Sequence, residues 1–169
     1  MLTNRIRQAL SATLQGVPLM ATIEEFEAPL IEFEMEELTG GRFVAEEIAK
    51  GLKALTARIT LNGTGLPIFT VLAVTQGADV LLTVHDAGVD QDNLEWFTYH
   101  LCGGRIKKIE EKTLKMKDKP VTVIELALRT YTRLENGTPM VDIDARTQKC
   151  VIGGHDVTKG ARMLALMTA

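Results

Sequence analysis

LEWFTYHLCGGRIKKIEE, Leu94 to Glu111, and PVTVIELALRTYTRLE, Pro120 to Glu135, decide the fold. Both read as strands, joined by the charged turn KTLKMKDK, Lys112 to Lys119. Asn136-Gly137 then turns the chain into PMVDID, Pro139 to Asp144. Asn-Gly after an alternating run is a strong hairpin signal, because both residues tolerate the positive φ of a type I′ turn. In the second strand Ile124, Leu126 and Leu128 fall on one face, and Glu125, Arg129, Tyr131 and Arg133 on the other. That period of two marks a half-buried strand. Both strands are longer than the usual ~5–6 residues.

Working outward, RIRQALSATLQ (5–15) fits a strand or a short amphipathic helix and is read as an extended N-terminal arm within residues 1–18. LMATIEEFE (19–27) reads as a strand that Pro29 ends. LIEFEMEEL (30–38) alternates, with Ile31, Phe33 and Met35 opposite Glu32, Glu34 and Glu36. FVAEEIAKGLKAL (43–55) has helix-favouring residues interrupted by Gly51, so a loop or helical turn is expected before a strand over 53–61. There Leu55, Ala57, Ile59 and Leu61 share a face. LPIFTVLAVTQ (66–76) is predicted to be the main helix, with Pro67 in its first turn. Residues 78–88 and 149–152 are predicted strands, and Asp156 is expected to cap a last helix over 157–167. The prediction is one α+β domain spanning residues 1–169 and dominated by antiparallel strands.

Composition bounds the function. The chain has 169 residues, 46% hydrophobic and 24% charged, as an ordinary globular domain has. A net charge of −3 gives no basic footprint for holding nucleic acid, and 5% aromatics offers little base-stacking surface. Cys102 and Cys150 stand far apart, which argues against a disulfide framework or a zinc site and fits a reducing compartment. No apolar run approaches the ~20 residues of a membrane span. Residues 1–23 lack acids and carry Arg5 and Arg7, but Gln15-Gly16-Val17-Pro18 breaks any leader-like pattern.

Chemistry-bearing residues are sparse. His85-Asp86 lacks a nucleophile motif and reads as a strand end. His100 and Cys102 supply two metal-ligand types, too few for a site. Gly103-Gly104 sits inside a strand pattern, marking a bulge or close backbone approach rather than a phosphate loop. Asp142 and Asp144 read as a solvated strand end. No catalytic residue, cofactor site or metal site is assigned. Two charge clusters stand out. Glu24, Glu25, Glu27, Glu32, Glu34, Glu36 and Glu37 crowd one region. Same-face neighbours lie ~7 Å apart, inside a Debye length, and repel. Either this is a solvated face or a negative surface is useful there, as where nucleic acid must pass without sticking. Arg105, Lys107, Lys108, Lys112, Lys115, Lys117 and Lys119 surround the hairpin turn, as a solvated tip or a contact with an acidic surface of another copy.

Three stretches together carry a family resemblance. They are APLIEFEMEELTGGRF (28–43), GGRIKKIEEKTLKMKDKPVTVIELALRTYTRLENGTPMVDID (103–144) and CVIGGHDV (150–157). The chain resembles the major tail tube protein of contractile-tailed bacteriophages, the P2-like type shared with R-type pyocins. It departs from the family's pattern at Glu110-Glu111-Lys112, where relatives have a D-P-G turn. The resemblance implies two packed antiparallel sheets, a barrel-like sandwich with a flanking helix and a long β-hairpin. It implies hexameric rings whose sheets join into an inner β-barrel, stacked into a tube. The implied partners are the tail sheath, the tape measure protein, the tail terminator and the baseplate hub, with DNA only in transit. The implied place is the virion, assembled in the host cytoplasm. On that reading Glu32, Glu34 and Glu36 are candidate lumen-facing acids, and Lys112, Lys115, Lys117 and Lys119 form a candidate inter-subunit loop. Two other readings are a pyocin-like or type VI secretion-like tube and, at greater remove, a monomeric ligand-binding β-barrel. An enzyme built on His85 and Asp86 has only their adjacency behind it.

Overall fold

The computed structural model describes residues 3–19, 23–62, 78–112 and 114–165. The long pair is present: β8 (Glu95–Glu111) and β9 (Val121–Glu135) run antiparallel from Thr98 opposite Glu135 to Glu111 opposite Thr122. Asn136 and Gly137 both have positive φ, 48° and 80°, as the expected turn requires. Around the pair stand β1 (Arg5–Leu14), β2 (Val17–Pro18), β3 (Ile23–Glu27), β6 (Thr56–Asn62), β7 (Val80–Asp90), β10 (Thr138–Asp144), β11 (Lys149–Ile152) and β12 (His155–Asp156). The order across the ten-stranded sheet is β12-β11-β10-β9-β8-β7-β1-β2, and β6 pairs both β9 and β3. The segment expected as an arm is therefore sheet strand over 5–14, paired with β7.

β9 serves two neighbours on one edge. Its first half pairs β6, from Asn62 opposite Val121 to Thr56 opposite Ala127. Its second half pairs β10. The sheet consequently folds over itself, and β3 and β6 cover the inner face of β1, β7 and β8. Ala57, Ile59 and Leu61 of β6 meet Val80, Leu82 and Val84 of β7, Ala12 and Leu14 of β1, and Ile124, Leu126 and Tyr131 of β9 in one core. Phe26 of β3 lies with its ring 5.2 Å from that of His100 on β8.

Two bulges let the long strands bend between these layers. Arg129 is an extra residue on β9, since Gly103 pairs Thr130 and Gly104 pairs Leu128. Lys107 is an extra residue on β8, since Ile106 pairs Leu126 and Lys108 pairs Glu125. Each bulge inverts the inside–outside alternation beyond it. Tyr131, expected on the polar face, is thereby turned inward and is 2% exposed. The glycines permit the close approach: a Cβ on Gly104 would stand 2.1 Å from the Ala127 carbonyl oxygen.

A second, two-stranded sheet holds β4 (Phe33–Leu38) and β5 (Glu46–Leu52), which among the described residues pair only with each other. The loop or helical turn expected within 43–55 is mostly this strand. Helix propensity there is worth only tenths of a kcal/mol per residue, and backbone pairing with β4 outweighs it. α1 (Lys159–Leu164) is shorter than predicted, and Thr158 stands at its N-cap position without a side-chain capping hydrogen bond. Asp156 belongs to β12 instead, where its Oδ1 accepts from the Thr158 N–H and hydroxyl at 3.1 and 3.2 Å. The helix predicted over 66–76 lies outside the described residues.

Candidate subunit interface

Backbone groups along several strand edges face no strand among the described residues. β2 covers β1 only at Thr13 and Leu14, so the rest of β1 is an edge. β7 ends opposite Gly104, so Arg105–Glu111 of β8 has one open side. β3 has β6 on one side alone. Long open edges invite pairing with another chain.

The β4–β5 hairpin is a second exposed surface. Around it Leu30 is 73% exposed, Phe43 105% and Val44 75%. A lone two-stranded hairpin is marginal in water and gains stability when covered. The candidate acids lie here. Glu34 and Glu36 share a face of β4, with Glu32 just before it. Lys53 Nζ reaches Glu32 Oε1 at 2.8 Å and Lys50 Nζ reaches Glu36 Oε2 at 3.6 Å. Glu34 makes no ion pair among the described residues.

At the far end of the β8–β9 pair, the Lys112 N–H donates to the Val121 carbonyl at 3.0 Å and starts the basic tip. None of Lys112, Lys115, Lys117 and Lys119 has an ion-pair partner among the described residues. Leu114 and Met116 stand exposed between them. The tip thus offers apolar side chains and cations without an ion-pair partner among the described residues.

The residues with catalytic or metal-binding chemistry are otherwise engaged. His85 and Asp86 point to opposite faces of β7. The His85 ring sits 3.9 Å from the Tyr99 ring, while buried Asp86 takes the Arg7 guanidinium on both oxygens. His100 Nδ1 lies 2.9 Å from the Tyr131 hydroxyl. Burial, then the Arg133 charge, pushes His100 down to about 4, so it stays neutral. Burial pushes the Cys102 thiol up to about 12, far from a thiolate nucleophile or ligand. Asp142 accepts from Lys149 Nζ at 2.7 Å, and Asp144 accepts from the Arg146 N–H at 2.8 Å. Among the described residues no group of three or more His, Cys, Asp or Glu could hold a metal ion. No helix among them is long and apolar enough to cross a membrane.

Sequence reasoning missed the apolar hairpin end at Phe43 and Val44. The available signal was Gly40-Gly41 between two alternating runs, obscured by the helical bias of the second.

No curated protein sequence matches the chain. The fold is similar to a chain of an extracellular contractile injection system described as "PVC sheath/tube terminator in extended state", with a TM-score of 0.56 at 10% identity, covering 75% of this chain and 93% of that one. A chain of the anti-feeding prophage baseplate aligns with a TM-score of 0.48 at 10% identity, covering 79% of this chain and 97% of that one. The family model for phage tail tube protein FII matches residues 4–164, nearly the whole length. The chain belongs to the phage tail tube protein FII family.

Proposed function

We propose that this protein is the building block of the inner tube of a contractile phage tail. Copies associate side by side into hexameric rings, their sheets continuing one another into an inner β-barrel, and rings stack into the tube. The observation that carries this is the set of open edges on β1, β3 and the outer half of β8, in a chain of the tail tube family. A ring contact is heterologous, so each copy offers two different surfaces and closure removes the edges. Among the described residues the ten-stranded sheet does not close on itself, which weighs against a monomeric ligand-binding barrel.

The tube houses the tape measure protein during assembly and then conducts DNA. Sheath, terminator and baseplate hub proteins meet its outside and its ends. Glu32, Glu34 and Glu36 contribute to a negative lumen. DNA carries one charge per ~1.7 Å of axis, so a basic wall would bind it and a negative wall lets it slide. Lys112, Lys115, Lys117 and Lys119 reach a neighbouring copy. A tube of an injection system that carries no DNA is the second reading, supported by the fold's likeness to an injection-system chain.

Negative-stain electron microscopy of the purified protein tests the proposal, with size-exclusion chromatography beside it. Rings or tubes are expected. A protein that stays monomeric at every concentration and salt would overturn it. An assembled tube with all three glutamates on its outer wall would remove the lumen assignment alone.

A further inference from the structure

Three arginines from three separate elements converge on one carboxylate. Arg146 Nη2 and Arg129 Nη1 lie 2.9 and 3.2 Å from Asp79 Oδ2, and Arg105 Nε lies 3.6 Å from Asp79 Oδ1. Arg129 is the bulge residue of β9, so the bend that folds the sheet also aims this side chain at the cluster. Arg129 and Arg146 border a cleft whose other walls include Leu81, 49% exposed, Asp79 and Asp144, and Arg105 stands at its margin on Asp79. With Arg105 of the ion-pair cluster included, three guanidiniums stand against the carboxylates of Asp79 and Asp144, one in excess.

The β4–β5 hairpin has the opposite imbalance. Glu37 and Glu47 face each other directly across the strands. Like charges in that position destabilise a sheet. The hairpin's cations are used elsewhere: Arg42 on Glu46, Lys50 on Glu36 and Lys53 on Glu32. Neither Glu37 nor Glu47 meets a cation among the described residues. Next to this acidic pair the hairpin end presents Phe43 and Val44 to solvent.

We infer that the Arg129–Arg146 cleft, with Arg105 at its margin, is the socket for the β4–β5 hairpin of a second copy, with Glu37 and Glu47 on the guanidiniums and Phe43 or Val44 on Leu81. Each surface supplies what the other lacks. Guanidiniums hold carboxylates with paired hydrogen bonds, and excluding water around the contact strengthens them. No residue of the hairpin lines the cleft of its own chain, so the partner is another molecule. A different surface is used on each copy, the pattern that builds rings or stacks rather than closing a pair.

The inference rests on the proposed self-assembly and is tested on the full chain. Arg129→Glu with Arg146→Glu, and separately Glu37→Arg with Glu47→Arg, should each raise the concentration needed for tubes about tenfold or more, because like charges meet. The four changes together should restore tubes towards wild type. A second measurement does not depend on that rescue. Glu47→Cys with Arg146→Cys should give a ladder of disulfide-linked copies on oxidising assembled tubes. Wild-type assembly by both charge-reversed pairs, or tubes of the double-cysteine protein that yield only single chains, would overturn the socket while leaving tube formation standing. Failure of the wild type itself to assemble would instead remove the proposed function, and the socket with it.

Discussion

Arg7 grips Asp86 through both carboxylate oxygens, Nε to Oδ1 at 2.6 Å and Nη2 to Oδ2 at 2.7 Å. The pair joins the edge strand β1 to β7. Asp86 is 5% exposed, and its hydrogen bond and charge hold Arg7 above its ordinary range. Arg7→Ala should cost about 1–3 kcal/mol, the penalty of a buried acceptor left unmet. Arg7→Lys keeps the charge but loses the two-pronged geometry, and should fall between. Urea unfolding of these variants, with Asp86→Asn and the double variant, measures the coupling. A coupling indistinguishable from zero would show that β1 is held by its backbone bonds alone.

His100 makes stability depend on pH in a defined window. Its folded value is about 4, against ~6.5 for a free imidazole. The surrounding charges are Arg133, Asp86 and Arg7, and the Tyr131 hydroxyl, pushed up to about 12 by burial, keeps its proton. Between these pH limits the unfolded chain binds a proton that the folded one refuses, so stability falls as pH drops from ~6.5 to ~4. Above that window the effect is absent. His100→Gln cannot titrate and should flatten this part of the profile. Equal slopes for wild type and variant in urea melts would rule the histidine out as the cause.

Gly104→Ala should be damaging, since its Cβ would meet the Ala127 carbonyl oxygen at 2.1 Å and Leu128 Cα at 2.8 Å. Backbone on both sides must move, at a cost of about 1–3 kcal/mol. Gly40→Ala is the control, with nothing within 4 Å and no positive φ, and should change stability by less than ~0.5 kcal/mol. Thermal melts that rank the two variants the other way would contradict the bulge geometry.

On the proposed assembly, the basic tip serves contacts between copies and not folding. Lys115, Lys117 and Lys119 hold no partner among the described residues, so changing all three to glutamate should leave the melting temperature close to wild type. Tube formation, read by pelleting and microscopy, should fall sharply. Unimpaired assembly would mean the tip touches no neighbouring copy.

Much of the fold is legible in the sequence because alternation is a strong signal wherever one face is buried. Leu55, Ala57, Ile59 and Leu61 share a face as their spacing predicts, and all are buried. Gly103-Gly104 reads correctly as a bulge with close backbone approach. Tyr131 does not read correctly, because one extra residue at Arg129 shifts the period and nothing local announces it. β5 is hidden for a different reason: its Ala, Glu and Lys favour helix, and only the partner strand decides. The arginine cleft is invisible in sequence because Asp79, Arg105, Arg129 and Arg146 come from separate elements that the folded sheet brings together. Asp156 was expected to cap a helix because the two-residue strand that contains it is too short to pattern.

The double bulge has a mechanical consequence. Because β8 and β9 pass through both layers, the layers cannot slide past one another without straining continuous backbone. An assembly of such units resists shear by covalent connection as well as by packing.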